Sequence, residues 1–110
     1  MMKRVPGVYS SILLLQLELP EAFSLKDRRQ VIRSVLEKTR NRFNVSVTDL
    51  GPDGAFHEVY VAFAAVSSSH SSTEERMDSV LRFIRAMEEN GDFFIVRDLR
   101  KVDSNADFQD

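Results

Sequence analysis

At 110 residues the chain has room for one domain core and no second core of useful size, and its 43% apolar content is ordinary for a globular protein. It has no cysteine, which excludes a disulfide framework, a zinc knuckle and a thiol nucleophile and fits the reducing cytoplasm. Net charge is −2 but unevenly spread: Ser24 to Phe43 holds seven Lys/Arg and two acids, a local +5 that leaves −7 for the rest.

The basic start, Met1 to Gly7, is followed by an apolar run of only Ile12 to Leu15, too short for an export signal or a membrane span. From Val8 to Leu19, the residues Leu13, Leu15, Leu17 and Leu19 alternate with Leu14, Gln16 and Glu18, the period of a strand with one firmly buried face. Pro20 ends it. Ser24 with Asp27 three residues on forms a capping box with the shorter acid. Leu25, Ile32, Val35, Leu36 and Phe43 then recur at helical spacing, giving a helix over about 25–41.

Asn44 to Leu50 sets Val45 and Val47 against Ser46 and Thr48, a second strand, and Gly51-Pro52-Asp53-Gly54 is concentrated turn chemistry. His57 to Val66 is apolar on both faces, as a central strand should be. The polar run Ser67 to Ser72 reads as a loop, Ser72 and Glu75 as a capping box, and Met77, Val80, Leu81, Ile84 and Met87 as a helix over about 73–89 stopped by Asn90-Gly91. Phe93 to Val102 is a last strand suited to an edge. Its facing stays undecided because Phe93 and Ile95 compete with Phe94 and Val96. Residues 1–102 thus form one domain and 103–110 a polar, acidic tail.

The order βαββαβ with right-handed crossovers gives an α+β ferredoxin-like plait, a four-stranded antiparallel sheet with two helices on one face. If the odd-numbered leucines face the helices, the other face carries Ile12, Leu14, Tyr60, Ala62, Ala64 and Val66. That surface is too apolar to leave wet comfortably, so a partner should cover it; a homodimer is favoured, with a ligand or nucleic-acid platform as the alternatives.

Three blocks carry a family likeness: Ser24-Leu25-Lys26-Asp27-Arg28-Arg29 after a proline-terminated strand, Arg40-Asn41-Arg42-Phe43-Asn44-Val45-Ser46-Val47, and Val66-Ser67 before the second helix. Over residues 8 to 102 the chain resembles the YlxP-like family of small bacterial proteins, which has no established function. The resemblance implies the same plait. It also implies a role near RNA or the ribosome, by the association of such genes with those for translation and ribosome-maturation factors. The chain departs from the family pattern in a seven-residue N-terminal extension and its polar C-terminal tail.

On the first helix Lys26, Arg29, Arg33 and Arg40 fall within about 60° of one another, a basic stripe beside the buried face, with Arg28, Lys38 and Arg42 flanking the other side. Guanidinium groups in a row match an RNA backbone by charge and by bidentate geometry, and phosphate contacts need no sequence code. The same pattern also describes a solvated helix face, and the acidic remainder of the molecule would repel phosphates outside the stripe.

Other chemistries find little support. Tyr60 and Phe63 point to opposite faces of their strand, unlike the stacked aromatics of an RRM, and Glu21-Ala22-Phe23 is not the anion loop of an acylphosphatase. No phosphate loop, dinucleotide fingerprint or H-E-x-x-H motif occurs, and nothing implies a cofactor or a metal. His57 reads as an exposed turn residue, and His70 as part of a hydrophilic serine loop rather than a catalytic pair. The N-terminus of the second helix is a minor candidate for holding an anion. Two classes of function remain: a non-catalytic binding protein, RNA- or ribosome-associated through the first helix, and a small-molecule-responsive or purely assembling dimer that uses its sheet face.

Overall fold

The structure is a computed structural model and describes residues 5–52 and 57–104. Alternation gives β1 (Tyr9–Glu18) the burial the sequence implies: Ser11, Leu13, Leu15 and Leu17 are fully buried, while Ile12 and Glu18 are exposed. It lies in the middle of the sheet, antiparallel to β3 (Glu58–Ser67) on one side and to β4 (Phe94–Ser104) on the other. β2 (Ser46–Gly51) pairs antiparallel with β3, so the order is β2-β3-β1-β4 and the fold is the ferredoxin-like plait.

Two helices cover one face. α1 (Leu25–Arg42) starts at Ser24, whose Oγ accepts from the Asp27 N–H at 3.1 Å, and the Asp27 carboxylate accepts in turn from the Phe23 N–H at 3.0 Å. Phe43 caps its C-terminal end outside the helix, so its half-buried ring meets Phe83 edge-on at 5.5 Å. α2 (His70–Met87) begins three residues earlier than its sequence suggests. Ser69 is the N-cap, accepting from the Ser72 N–H, and fully buried Thr73 donates its hydroxyl to the Ser69 carbonyl at 2.9 Å. That bond spans one helical turn, which commits the serine run before Thr73 to helix and leaves the Ser72/Glu75 box unused. A 3₁₀ turn (Glu88–Asn90) and Gly91 at φ 81° end the element.

Between the helices and the sheet lie the odd-numbered leucines of β1, Val59, Val61, Phe63 and Ala65 of β3, Ile32 and Val35 of α1, and Met77, Val80 and Ile84 of α2. β4 explains its own ambiguity. Ile95 pairs with Leu17 and Arg97 with Gln16, so Val96 is the extra residue of a bulge, and the alternation changes phase there. Phe93 and Ile95 face the core before it; Asp98, Arg100 and Val102, opposite Leu15, Leu13 and Ser11, take that face after it. Asp98 accepts from Arg85 of α2 at 3.1 Å and Arg100 donates to Asp78 at 2.7 Å, so ion pairs close the outer half of this edge.

The expected turn at Gly51-Pro52-Asp53-Gly54 falls partly on residues outside those described, as does the polar tail beyond Ser104.

α1 is pinned to β2 by one fork. Arg28 Nη1 and Nη2 donate to the two carboxylate oxygens of Asp49 at 2.8 and 2.9 Å, with the Arg28 side chain 9% exposed. These bonds hold the Asp49 carboxyl below its ordinary value of 3.8. The Gly51 N–H and the guanidinium charge act in the same sense, and burial opposes them. The unfolded chain therefore binds this proton more readily than the native one. The pair contributes fully above the ordinary value and is lost as pH falls through the lower native value. Asp49→Asn should cost about 1–3 kcal/mol at pH 7, because it leaves a nearly buried guanidinium without its counter-charge. Urea denaturation should show that cost shrinking as pH drops below about 4; a constant difference from pH 7 to pH 3 would assign the pair no ionic role.

Candidate functional site

α1 presents Lys26, Arg29, Arg33 and Arg40 on one exposed strip, spread over about 21 Å of helix axis. Among the described residues none of the four takes part in an ion pair or a hydrogen bond to a side chain. One acid interrupts the strip: exposed Glu37 lies one turn from both Arg33 and Arg40. Gln30, Arg33, Ser34, Glu37, Lys38 and Asn41 line a shallow depression of about 340 Å³ beside it.

The arginines expected to flank the other side do different work. Arg28 is not a solvated surface charge but the buried partner of Asp49, because its position faces β2. The Arg42 guanidinium carbon stands 5.5 Å from the Phe83 ring centroid and 5.9 Å from that of Phe43, covering the aromatic pair. Elsewhere Arg76 reaches the carbonyls of Asn44 and Val66, and Arg85 and Arg100 join α2 to β4. Five of the ten described arginines are thus consumed in holding the fold together, and the three of the stripe are not.

The second surface is the helix-free face of the sheet. Strand register places Ile12, Leu14, Tyr60, Ala62, Ala64 and Val66 on it together: Ile12 pairs with Ala64, Leu14 with Ala62, Gln16 with Tyr60 and Ser10 with Val66. Ile12 is 45% exposed and Val66 62%. Leu99, 47% exposed and opposite Leu14, belongs to the same face, as do Arg97 and Lys101 opposite Gln16 and Ile12. Sequence reading misses these three because the Val96 bulge hides which parity of β4 points outward; the only available signal was the alternation beyond it, Leu99 against Asp98 and Arg100. The face holds an apolar depression of about 210 Å³ over Ala62 and Ala64, bounded by Ile12, Ser46, Val47 and Thr48. That is smaller than the roughly 300–1,000 Å³ of small-molecule pockets.

Catalytic chemistry gains no positive support. His70 is the first residue of α2 rather than a loop residue and stands edge-on to Tyr9 with ring centroids 5.8 Å apart. His57 is exposed, with Nδ1 3.3 Å from the Leu19 carbonyl oxygen, and it shares a depression with Glu18 and Glu58 whose lining has no Ser, Thr or Lys side chain. Among the described residues no group of three His, Asp or Glu side chains is placed to hold a metal ion. Among the described residues no helix is long and apolar enough to cross a membrane. The N-terminus of α2 already has its cap in Ser69.

Residues 11–94 match the family model described as "Protein of unknown function (DUF503)". The "Uncharacterized protein YlxP" of Bacillus subtilis (strain 168) is 38% identical over 69 residues, which are 63% of this chain and 75% of that protein. Among solved structures, the de novo designed protein Foldit4 aligns over 89% of this chain and 94% of its own at 18% identity, with a TM-score of 0.46.

The division of labour along α1 has a measurable signature. Arg28→Ala should lower stability by about 2–4 kcal/mol, since it strips Asp49 of its fork and empties a buried site, whereas Arg29→Ala should stay within about 0.5 kcal/mol of the parent. Thermal and urea unfolding of the two variants decides; equal costs would mean that both arginines serve the fold.

Proposed function

The chain belongs to the DUF503 family of proteins of unknown function, and we propose that it is a non-catalytic, RNA-associated binding protein that grips phosphates along α1. One observation carries this reading: four exposed cations share a strip of helix with no ionic partner among the described residues, while most other arginines are engaged. A rod of fixed positive charge meets a polyanion by Coulomb attraction and by release of its condensed counterions. The guanidinium fork adds two parallel hydrogen bonds per phosphate and reads no sequence.

Two features keep the affinity modest. Glu37 sits inside the strip, and the chain outside Ser24 to Phe43 carries −7, which repels any phosphate that strays beyond α1. Such a protein suits a large structured RNA such as the ribosome's, met in the cytoplasm, more than tight capture of a free strand.

With about four phosphates neutralised, the plot of log K against log salt should fall with a slope of roughly −3 to −4. Reversing Lys26, Arg29, Arg33 and Arg40 to Glu together should abolish binding to a labelled structured RNA in fluorescence anisotropy, and recovery of ribosomal material from a lysate should fall with it. Glu37→Gln should tighten binding by a few-fold, the size of one screened surface charge. A salt-insensitive affinity, or retention of binding by the reversed variant, would end the proposal.

A further inference from the structure

We propose that the helix-free face of the sheet is an isologous dimer interface, covered by the same face of a second copy of this chain. The register supplies the argument. Across this face, larger residues on β1 and β4 (Ile12, Leu14 and Leu99) stand beside Ala62 and Ala64 on β3, where the surface dips. A ridge and a trough of similar length, side by side on one surface, are complementary to themselves when turned over about an axis parallel to the strands and midway between β1 and β3. β1 of one copy then lies over β3 of the other, row for row: Ile12 against Ala64, Leu14 against Ala62, Gln16 against Tyr60. Two sheets packed face to face in near alignment are a standard solution for apolar sheet faces.

Size and charge fit a second copy. From Ser10 to Glu18 the face runs about 27 Å along the strands, and four strands span about 19 Å, a plan area of roughly 500 Å². With side chains standing on it, its accessible area approaches the roughly 800 Å² per partner of a standard specific interface. The same operation lays β4 over β2, so Lys101 of one copy comes over Ser46 of the other, Leu99 over Thr48 and Arg97 over the row of Gly51, and the cations do not meet each other. The acids Glu18 and Glu58 meet only at the end of the face, where both are exposed to water. The shallow depression is filled by a partner's aliphatic side chains, which accounts for a hollow smaller than a ligand pocket. α1 lies on the outer side of each protomer, so the interface leaves the basic stripe open and does not depend on the RNA reading.

Sedimentation equilibrium of the full chain between about 1 and 100 μM tests this directly, and the expected result is a dimer. Ile12→Glu alone and Ala64→Lys alone should each sediment as monomers with unchanged far-UV circular dichroism. An equimolar mixture of the two should recover a dimer, because each new carboxylate then faces a new ammonium across the axis while the remaining Ile12–Ala64 contact is native. A monomeric parent at 100 μM would overturn the proposal and leave the face to some other occupant. So would dimers of either single variant, or a mixture of folded variants that stays monomeric. If either variant misfolds, Leu99→Lys serves as the second probe, with the same monomer expected and a surviving dimer overturning the interface.

Discussion

A four-stranded sheet has two faces and this chain has two helices, both on the same side. That inequality governs the molecule. Strand period forces β1 and β3, the two central strands, to send alternate residues to each face, and both strands are apolar on both. One set, the odd-numbered leucines with Val59, Val61 and Phe63, becomes the core; the other, with Ile12, Leu14, Ala62 and Ala64, is left at the surface. A sheet face turned to water ordinarily carries polar residues at such positions, as β2 does with Ser46 and Thr48 on the same face.

The helices are attached by different physics. α2 sits over β1 and β3 through Met77, Val80 and Ile84 and is tied to β4 by ion pairs at half-exposed positions. α1 lies toward β2, a short edge strand with little apolar surface, and there a bidentate ion pair takes over part of what packing does elsewhere. Arg28 Nε is left buried without a hydrogen-bond partner, so the fork does not satisfy the whole guanidinium. Using one arginine of α1 inward also fixes how the helix is rotated, and that rotation turns Lys26, Arg29, Arg33 and Arg40 outward together.

Most of the fold is legible in the sequence because two periods do most of the work. Leu13 to Leu19 read as a buried strand face and are one, and the helical spacing from Leu25 to Leu36 locates α1 within one residue at its end. Three places resist. The serine run before Thr73 looks like a loop because composition outweighs period over so short a stretch, and only the burial of Thr73 shows that the helix has begun. Arg28 looks like its neighbours because a helical wheel says how charges are spaced, not which of them finds an acid 21 residues away. β4 is undecidable because a bulge changes its parity midway, and an extra residue leaves no mark in composition. On the candidate surfaces, the six sheet-face residues share one face as their parity implies, while Arg97, Leu99 and Lys101 are hidden by that same bulge.

Both outer strands of the sheet are interrupted in this way. β4 carries its extra residue at Val96, and β2 shifts register against β3 between Asp49 and Gly51. β4 also aims Asp98 and Arg100 toward the helix side, where α2 engages them. A bulged border with charges turned inward is a poor template for another strand. A chain with this much surface-exposed aliphatic sheet would otherwise be a natural starting point for fibrils, and its irregular borders work against that route.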